Sequence, residues 1–189
     1  MRRELEIGFG RGHFMAARAA ANPRASFVAI ERRKKWGDDL QQKLARTGAT
    51  NVDILMGDAN ELIRTFDEAT FDAVHIHFPD PWWKRRHLRR RLLDRHFVTE
   101  VARVLKPGCA AYVQTDVLDY AKVVLFRFEG SGWFENVAGP LEYTNWREEI
   151  PEKSLREMRC ERDGTPFVQM KFVRRETGID AGKLERTTG

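Results

Sequence analysis

Residues 4–12 read ELEIGFGRG, a short strand over residues 4–9 that runs straight into Gly8, Gly10 and Gly12. Glycines at such a point let the backbone turn sharply from strand to helix and approach a ligand closely. The G-x-G-x-G spacing departs from the dinucleotide-binding pattern, so the turn by itself marks an α/β fold without naming what it binds. An alanine-rich helix over residues 13–21 follows and stops at Asn22-Pro23, a helix-ending pair.

Outward from that turn the pattern repeats. SFVAI (26–30) is a second strand ending on Glu31. Trp36, Leu40 and Leu44, four apart, mark a helix over 34–46 closed by Thr47-Gly48. A third strand (52–56) ends on Gly57-Asp58, a short helix covers 59–66, and FDAVHIHF (71–78) is a fourth strand. Leu93, Phe97, Val101 and Leu105 then mark a helix ending at Lys106-Pro107-Gly108. CAAYVQ (109–114) is a fifth strand ending on Thr115-Asp116, and a helix spans 117–128. Residues 133–137 and 167–173 read as two closing strands, antiparallel additions at one end of the sheet, with the polar segment 144–164 between them. Strands alternating with helices imply a mostly parallel seven-stranded sheet with helices on both faces. Residues 1–175 are expected to form one domain, with a mobile tail over 176–189.

Composition narrows the class. The chain has 189 residues, 42% hydrophobic and 32% charged, enough apolar material for one core under a charged surface. Its longest apolar run, residues 109–113, is far short of the roughly 18 to 20 a membrane helix needs. The start, MRRELE, has no apolar stretch behind its charges, as a secretory signal would. Cys109 and Cys160 stand apart, so no disulfide framework or zinc ribbon is expected. A reduced, cytoplasmic, basic globular protein is the expectation. The net charge of +5 is concentrated: residues 84–96, KRRHLRRRLLDRH, carry seven cations against Asp94, and the rest of the chain is close to neutral. Arginine predominates in that run, and its planar fork suits bidentate phosphate contacts.

In parallel sheets of this kind ligands lie beyond the carboxyl ends of the strands, where the strand order reverses. Gly8, Glu31, Asp58, Asp80 and Asp116 all fall at such ends. Glu31 stands where a carboxylate can bridge two ribose hydroxyls, Asp58 where it could accept from an adenine amino group, and Glu6 where it could reach an amino-acid ammonium. Each has a plainer reading: Glu6 a solvated strand residue, Glu31 part of a charged cluster, Asp58 a helix N-cap. A carboxylate beside the glycine turn would repel a pyrophosphate and favour a cationic cofactor. S-adenosylmethionine therefore suits the site better than a nicotinamide. Pro79 and Pro81 pin the backbone on either side of Asp80, and Trp82 and Trp83 offer flat faces to an unstacked base. No metal site is expected. His75 and His77 alternate on one face of the fourth strand and read as packed or hydrogen-bonded histidines. His13, His87 and His96 have no partner at ligand spacing, and Cys109 reads as a core residue.

The stretch PDPWWKRRHLRRRL (79–92), with EIGFGRG, AIER, MGDA and QTD, resembles the bacterial tRNA (guanine-N7-)-methyltransferases of the TrmB family over nearly the whole chain. The resemblance implies a Rossmann-like class I methyltransferase fold and methylation of a guanine in the tRNA variable loop. By motif, Glu6, Gly8, Gly10, Glu31, Asp58 and Asp80 would hold S-adenosylmethionine, with Asp80 also at the catalytic position. Lys84, Arg86, Asp116, Ser154 and Glu157 would contact the tRNA. Serine replaces the family's threonine at Ser154, Trp83 stands where the family varies, and the chain begins almost at its first strand, without the family's usual N-terminal segment. A monomer or homodimer is expected, with no membrane or metal partner. A non-catalytic RNA-binding protein on the same fold would need a degenerate cofactor edge, and a nicotinamide oxidoreductase would leave PDPWW without a role.

Overall fold

The computed structural model describes residues 1–81 and 92–178. Seven strands form one sheet in the order β3-β2-β1-β4-β5-β7-β6: β1 (Arg3–Ile7), β2 (Ser26–Glu31), β3 (Val52–Met56), β4 (Phe71–His77), β5 (Leu105–Thr115), β6 (Phe134–Asn136) and β7 (Val168–Arg174). Strands β1 to β5 pair in parallel, and the order reverses between β1 and β4. The helices are α1 (His13–Ala21), α2 (Lys34–Thr47), α3 (Ala59–Leu62, continued by a 3-10 turn Ile63–Thr65), α4 (Arg95–Val104), α5 (Leu118–Glu129) and α6 (Leu155–Asp163). No helix among the described residues is long and apolar enough to cross a membrane.

Three sequence expectations change. The fourth major helix ends at Val104, and Lys106-Pro107-Gly108 belongs to β5. Leu105 pairs with Phe71, both in the core, and Lys106 Nζ bonds Asp72 Oδ1 at 2.7 Å; a register shift between Phe71 and Ala73 absorbs the irregularity. Tertiary pairing thus overrides a helix-ending signal. Only β7 is antiparallel to its neighbours; β6 pairs antiparallel with β7 and so runs with the parallel strands. The polar segment before β7 contains α6, capped by Ser154, whose hydroxyl accepts from the Glu157 backbone N–H at 3.2 Å. The basic run reaches into described structure only at its end, where Asp94 caps α4 through the Phe97 N–H at 2.8 Å and Arg95 opens the helix. Trp82, Trp83, Lys84, Arg86 and the 179–189 tail lie outside the described residues.

Strand alternation separates two different faces. Leu5, Ile7, Val74, Ile76, Ala111 and Val113 meet α4 and α5 in an apolar layer. On the other face, Phe27 and Ala29 pack with α1 and α2, and Ala73 and Tyr112 pack with Phe14, Trp146 and Ile150. That second face also carries Glu4, Glu6, His75 and His77, all buried. Glu4 accepts from Arg18 Nε and Nη2 of α1, both at 3.0 Å, and from His75 Nε2 at 2.9 Å, while Arg18 Nη1 bonds Glu152 at 3.1 Å. Burial raises the carboxyl's affinity for a proton, but the His75 and Arg18 contacts outweigh it and hold Glu4 well below the ordinary range. Burial pushes His75 down, so its neutral ring donates from Nε2.

Candidate active site

A cavity of about 610 Å³ opens at the carboxyl ends of β1, β2, β3, β4 and β5, beside the point where the strand order reverses. Gly8 and Gly10 form its floor near β1, at φ +77° and +54°. A Cβ built on Gly8 would meet nothing within 4 Å, and one on Gly10 only the Trp36 ring at 3.8 Å, so the backbone faces open space. Gly12 serves differently: its Cβ would sit 2.7 Å from Leu40, so this glycine lets α2 pack against the turn.

The acids predicted at the strand ends converge here. Glu31 is buried, and its carboxylate fastens the turn to β2: Oε2 accepts from the Gly10 N–H at 3.1 Å, and Oε1 from Arg32 and Arg33 N–H at 2.9 Å each. A carboxylate held by backbone donors keeps lone pairs for ribose hydroxyls in a fixed direction. Asp58 is a helix N-cap that also lines the cavity. Its Oδ1 caps α3 through Asn60 N–H at 2.8 Å. Glu6, at the end of β1, is 1% exposed, and its Oε2 has no hydrogen-bond partner among the described residues. Its Oε1 lies 3.3 Å from His77 Nδ1, but the His77 ring nitrogens are unpartnered as well. A buried carboxylate oxygen left bare at a cavity wall costs free energy unless a ligand donates to it.

The chemistry of this donor set fits S-adenosylmethionine, which Glu6, Glu31, Asp58 and the Gly8 and Gly10 backbone would hold through an ammonium and hydroxyl and amino donors. Glu6→Gln is expected to weaken cofactor binding about 10- to 100-fold, the worth of one charge-assisted hydrogen bond. Calorimetry with the cofactor and with 5′-methylthioadenosine, which lacks the ammonium, separates the causes. The second ligand should bind both proteins alike, and an equal loss for both would refute the assignment.

Asp80 lines the cavity at the end of β4. Phe78 before it takes φ +49°, a strained value for a side-chain-bearing residue, while its N–H bonds Gln114 O at 2.7 Å. Pro79 and Pro81 restrict the backbone on either side of Asp80, and both line the same cavity. Asp116 and Ser154 also line the cavity, and Arg156 grips Asp116 through Nε at 2.9 Å and through Nη2. Glu157 lies beneath the lining, 1% exposed, accepting from Gln114 Nε2 at 3.1 Å and from Arg147. Gln114 in turn donates to Ser154 and accepts from Gln169. The structure thus sets Glu157 as an anchor of α6 on β5, one layer below the cavity wall. Among the described residues no group of three His, Cys, Asp or Glu side chains is placed to hold a metal.

Sequence reasoning passed over the Glu4–Arg18–His75 cluster and the α6 arginines. The signal for the first is one arginine inside the alanine-rich helix HFMAARAAA, facing a strand that carries Glu4. For the second it is the S-x-x-E capping pattern at residues 154–157.

Comparison with known proteins bears on the family and the fold. The family model described as "Putative methyltransferase" matches residues 3–170. A tRNA (guanine-N(7)-)-methyltransferase of Anaeromyxobacter dehalogenans is 42% identical over 92% of this chain and 86% of its own length. The enzyme of that name from Alkalilimnicola ehrlichii is 34% identical over 92% of this chain and 73% of its own length. Among solved structures, the 16S rRNA methyltransferase KamB superposes with a TM-score of 0.64 at 19% identity, covering 92% of this chain and 88% of its own. A SAM-dependent methyltransferase from Aquifex aeolicus gives 0.63 at 14% identity, covering 90% and 81%. These two share the Rossmann-like class I fold. With a family model spanning most of its length and relatives of this similarity, the chain belongs to the tRNA (guanine-N7-)-methyltransferase family.

Proposed function

We propose that this chain is a cytoplasmic enzyme, monomer or homodimer, that transfers a methyl group from S-adenosylmethionine to N7 of a guanine in the variable loop of tRNA. The observation that carries the reading is the convergence of Glu6, Glu31, Asp58 and Asp80 on one strand-end cavity, with the unpartnered Glu6 oxygen at its wall. The names of the relatives support the choice of tRNA and of N7.

Guanine N7 has an in-plane lone pair and carries no proton at neutral pH, so the reaction needs no general base to create the nucleophile. The cofactor supplies the electrophilic methyl. What the protein contributes is alignment of the base with that methyl, and orientation of this kind lowers a barrier by several kcal/mol. Positive charge develops on the guanine as the methyl arrives, and the Asp80 carboxylate faces that charge. Asp116 offers acceptor oxygens to the guanine N1–H and amino group, with Ser154 beside it, and Glu157 holds the helix that presents Ser154 and Arg156. Lys84 and Arg86 belong to the basic run and contact phosphate.

Incubation with labelled S-adenosylmethionine and unmodified tRNA tests the reading. The expected result is label in tRNA and aniline-sensitive cleavage at one variable-loop guanine. Label at a different base atom would overturn the site assignment, and tRNA left unlabelled would overturn the reaction.

A further inference from the structure

The basic run leads into α4, which packs with α5 on the apolar face of the sheet. Helices α1 and α2 lie on the opposite face, where Arg147 beside the core residue Trp146 ties down α6 through Glu157. A second set of cations collects on that side. Arg11, in the β1–α1 turn, and Arg159, on α6, are exposed and line the cavity mouth. Neither makes a hydrogen bond or ion pair among the described residues. The other two arginines of α6 are spent, Arg156 on Asp116 and Arg162 on Asp163. Lys43 of α2 reaches its own helix, with Nζ 3.5 Å from Asp39 O. His13, the first residue of α1, has Nδ1 buried without a partner. Burial lowers its pKa, and Lys43, Arg11 and Arg159 lie near enough to lower it further, with Asp39 the opposing acid.

Clustered cations without carboxylate partners repel one another, and they lose less if an anion joins them. We infer that Arg11, Lys43 and Arg159 form a second phosphate-contact surface, holding the RNA backbone on the α1–α2–α6 side of the cavity. The inference rests on the reading of the substrate as RNA and adds where that RNA runs. A strand that delivers one base into the cavity continues on both sides of it, so its phosphates cross two rims. This patch serves the rim on the side of the sheet opposite α4 and α5. The body of the protein, near neutral by composition outside residues 84–96, is therefore not electrically uniform.

Lys43→Gln with Arg159→Gln tests this at two positions whose side chains bond none of the cofactor's acids. Affinity for unmodified tRNA is measured by filter binding between 50 and 200 mM salt, beside calorimetric binding of S-adenosylhomocysteine. Each lost phosphate contact should flatten the slope of log affinity against log salt by about 0.7 to 0.9, so the double variant should lose about 1.5. Its tRNA affinity at low salt should fall about tenfold or more, with S-adenosylhomocysteine binding unchanged. Asp39→Asn, which removes the opposing acid, should tighten tRNA binding about two- to threefold, a gain that damaged folding would not produce. Unchanged slopes in both variants, with a wild-type protein that binds and methylates tRNA, would overturn the patch. A wild-type protein inactive on tRNA would instead overturn the functional reading.

Discussion

Asp80→Ala is expected to lower the rate of methyl transfer to tRNA about 10²- to 10³-fold, with the protein still folded. The carboxylate stands at the end of β4 between two prolines, next to Phe78 at φ +49°, and lines the cavity at whose wall Glu6 and Asp116 also lie. Fixed charge aimed at charge that develops only in the transition state acts on turnover more than on binding. The loss should therefore fall on kcat, with the Michaelis constant for tRNA changed little. Asp80→Asn keeps the shape and removes the charge; if charge is what matters, it should lose at least tenfold too. Single-turnover assays with both variants check this, and near wild-type rates in the alanine variant would remove Asp80 from the chemistry. The residue is exposed, so its replacement should leave the denaturation midpoint where it was.

Arg18→Ala is expected to destabilise the fold by about 3 kcal/mol, the low end for breaking a buried ion pair, because Arg2 and His75 still face Glu4. Arg18 gives Glu4 two bonds at 3.0 Å and Glu152 a third at 3.1 Å, in a layer where Glu4 is wholly buried. Urea denaturation measures the loss, and a change below about 1 kcal/mol would show that the cluster is dispensable. Replacing both ends, Glu4→Gln with Arg18→Met, should cost less than the arginine change alone, because only the Glu152 carboxylate is then left without Arg18. The same cluster sets an acid limit. His75 is lowered from 6.5 in the folded protein, so an unfolded chain takes up its proton first. Stability from His75 is complete above about pH 6.5 and declines as the pH falls below it. Glu4, lowered from 4.5, adds a second loss below about pH 4.5, as the unfolded carboxyl protonates before the folded one. Denaturation midpoints measured from pH 8 to 4 should fall in that order.

The alternation of strand and helix was legible because each element carries its own period and punctuation. The helix at His13–Ala21 and the strand at Val52–Met56 lie where apolar spacing and the Asn22-Pro23 and Gly57-Asp58 breaks put them. The acids at the strand ends were legible for a related reason: in a parallel sheet the chain order alone sends every strand's carboxyl end to one edge. Where a neighbour outweighed local signals, the sequence misled. Lys106-Pro107-Gly108 reads as the end of a helix, yet Phe71 and Asp72 draw it into β5. The S-x-x-E pattern marks a helix start, but only Gln114, 43 residues back in the chain, and Arg147, before the helix begins, turn Glu157 inward.

The sequence by itself determined that this is a parallel α/β protein with carboxylates at its ligand edge and a concentrated positive run beside them, since periodicity, chain order and charge are local properties. Only the tertiary structure decided that one Glu6 oxygen lacks a partner while Glu4 is paired, that Asp116 is held by Arg156, and that Arg11, Lys43 and Arg159 gather around His13. Each of those depends on residues far apart in the chain meeting across the sheet. Burial and partnership, which set what a charge costs and what it can bind, exist only once they have met.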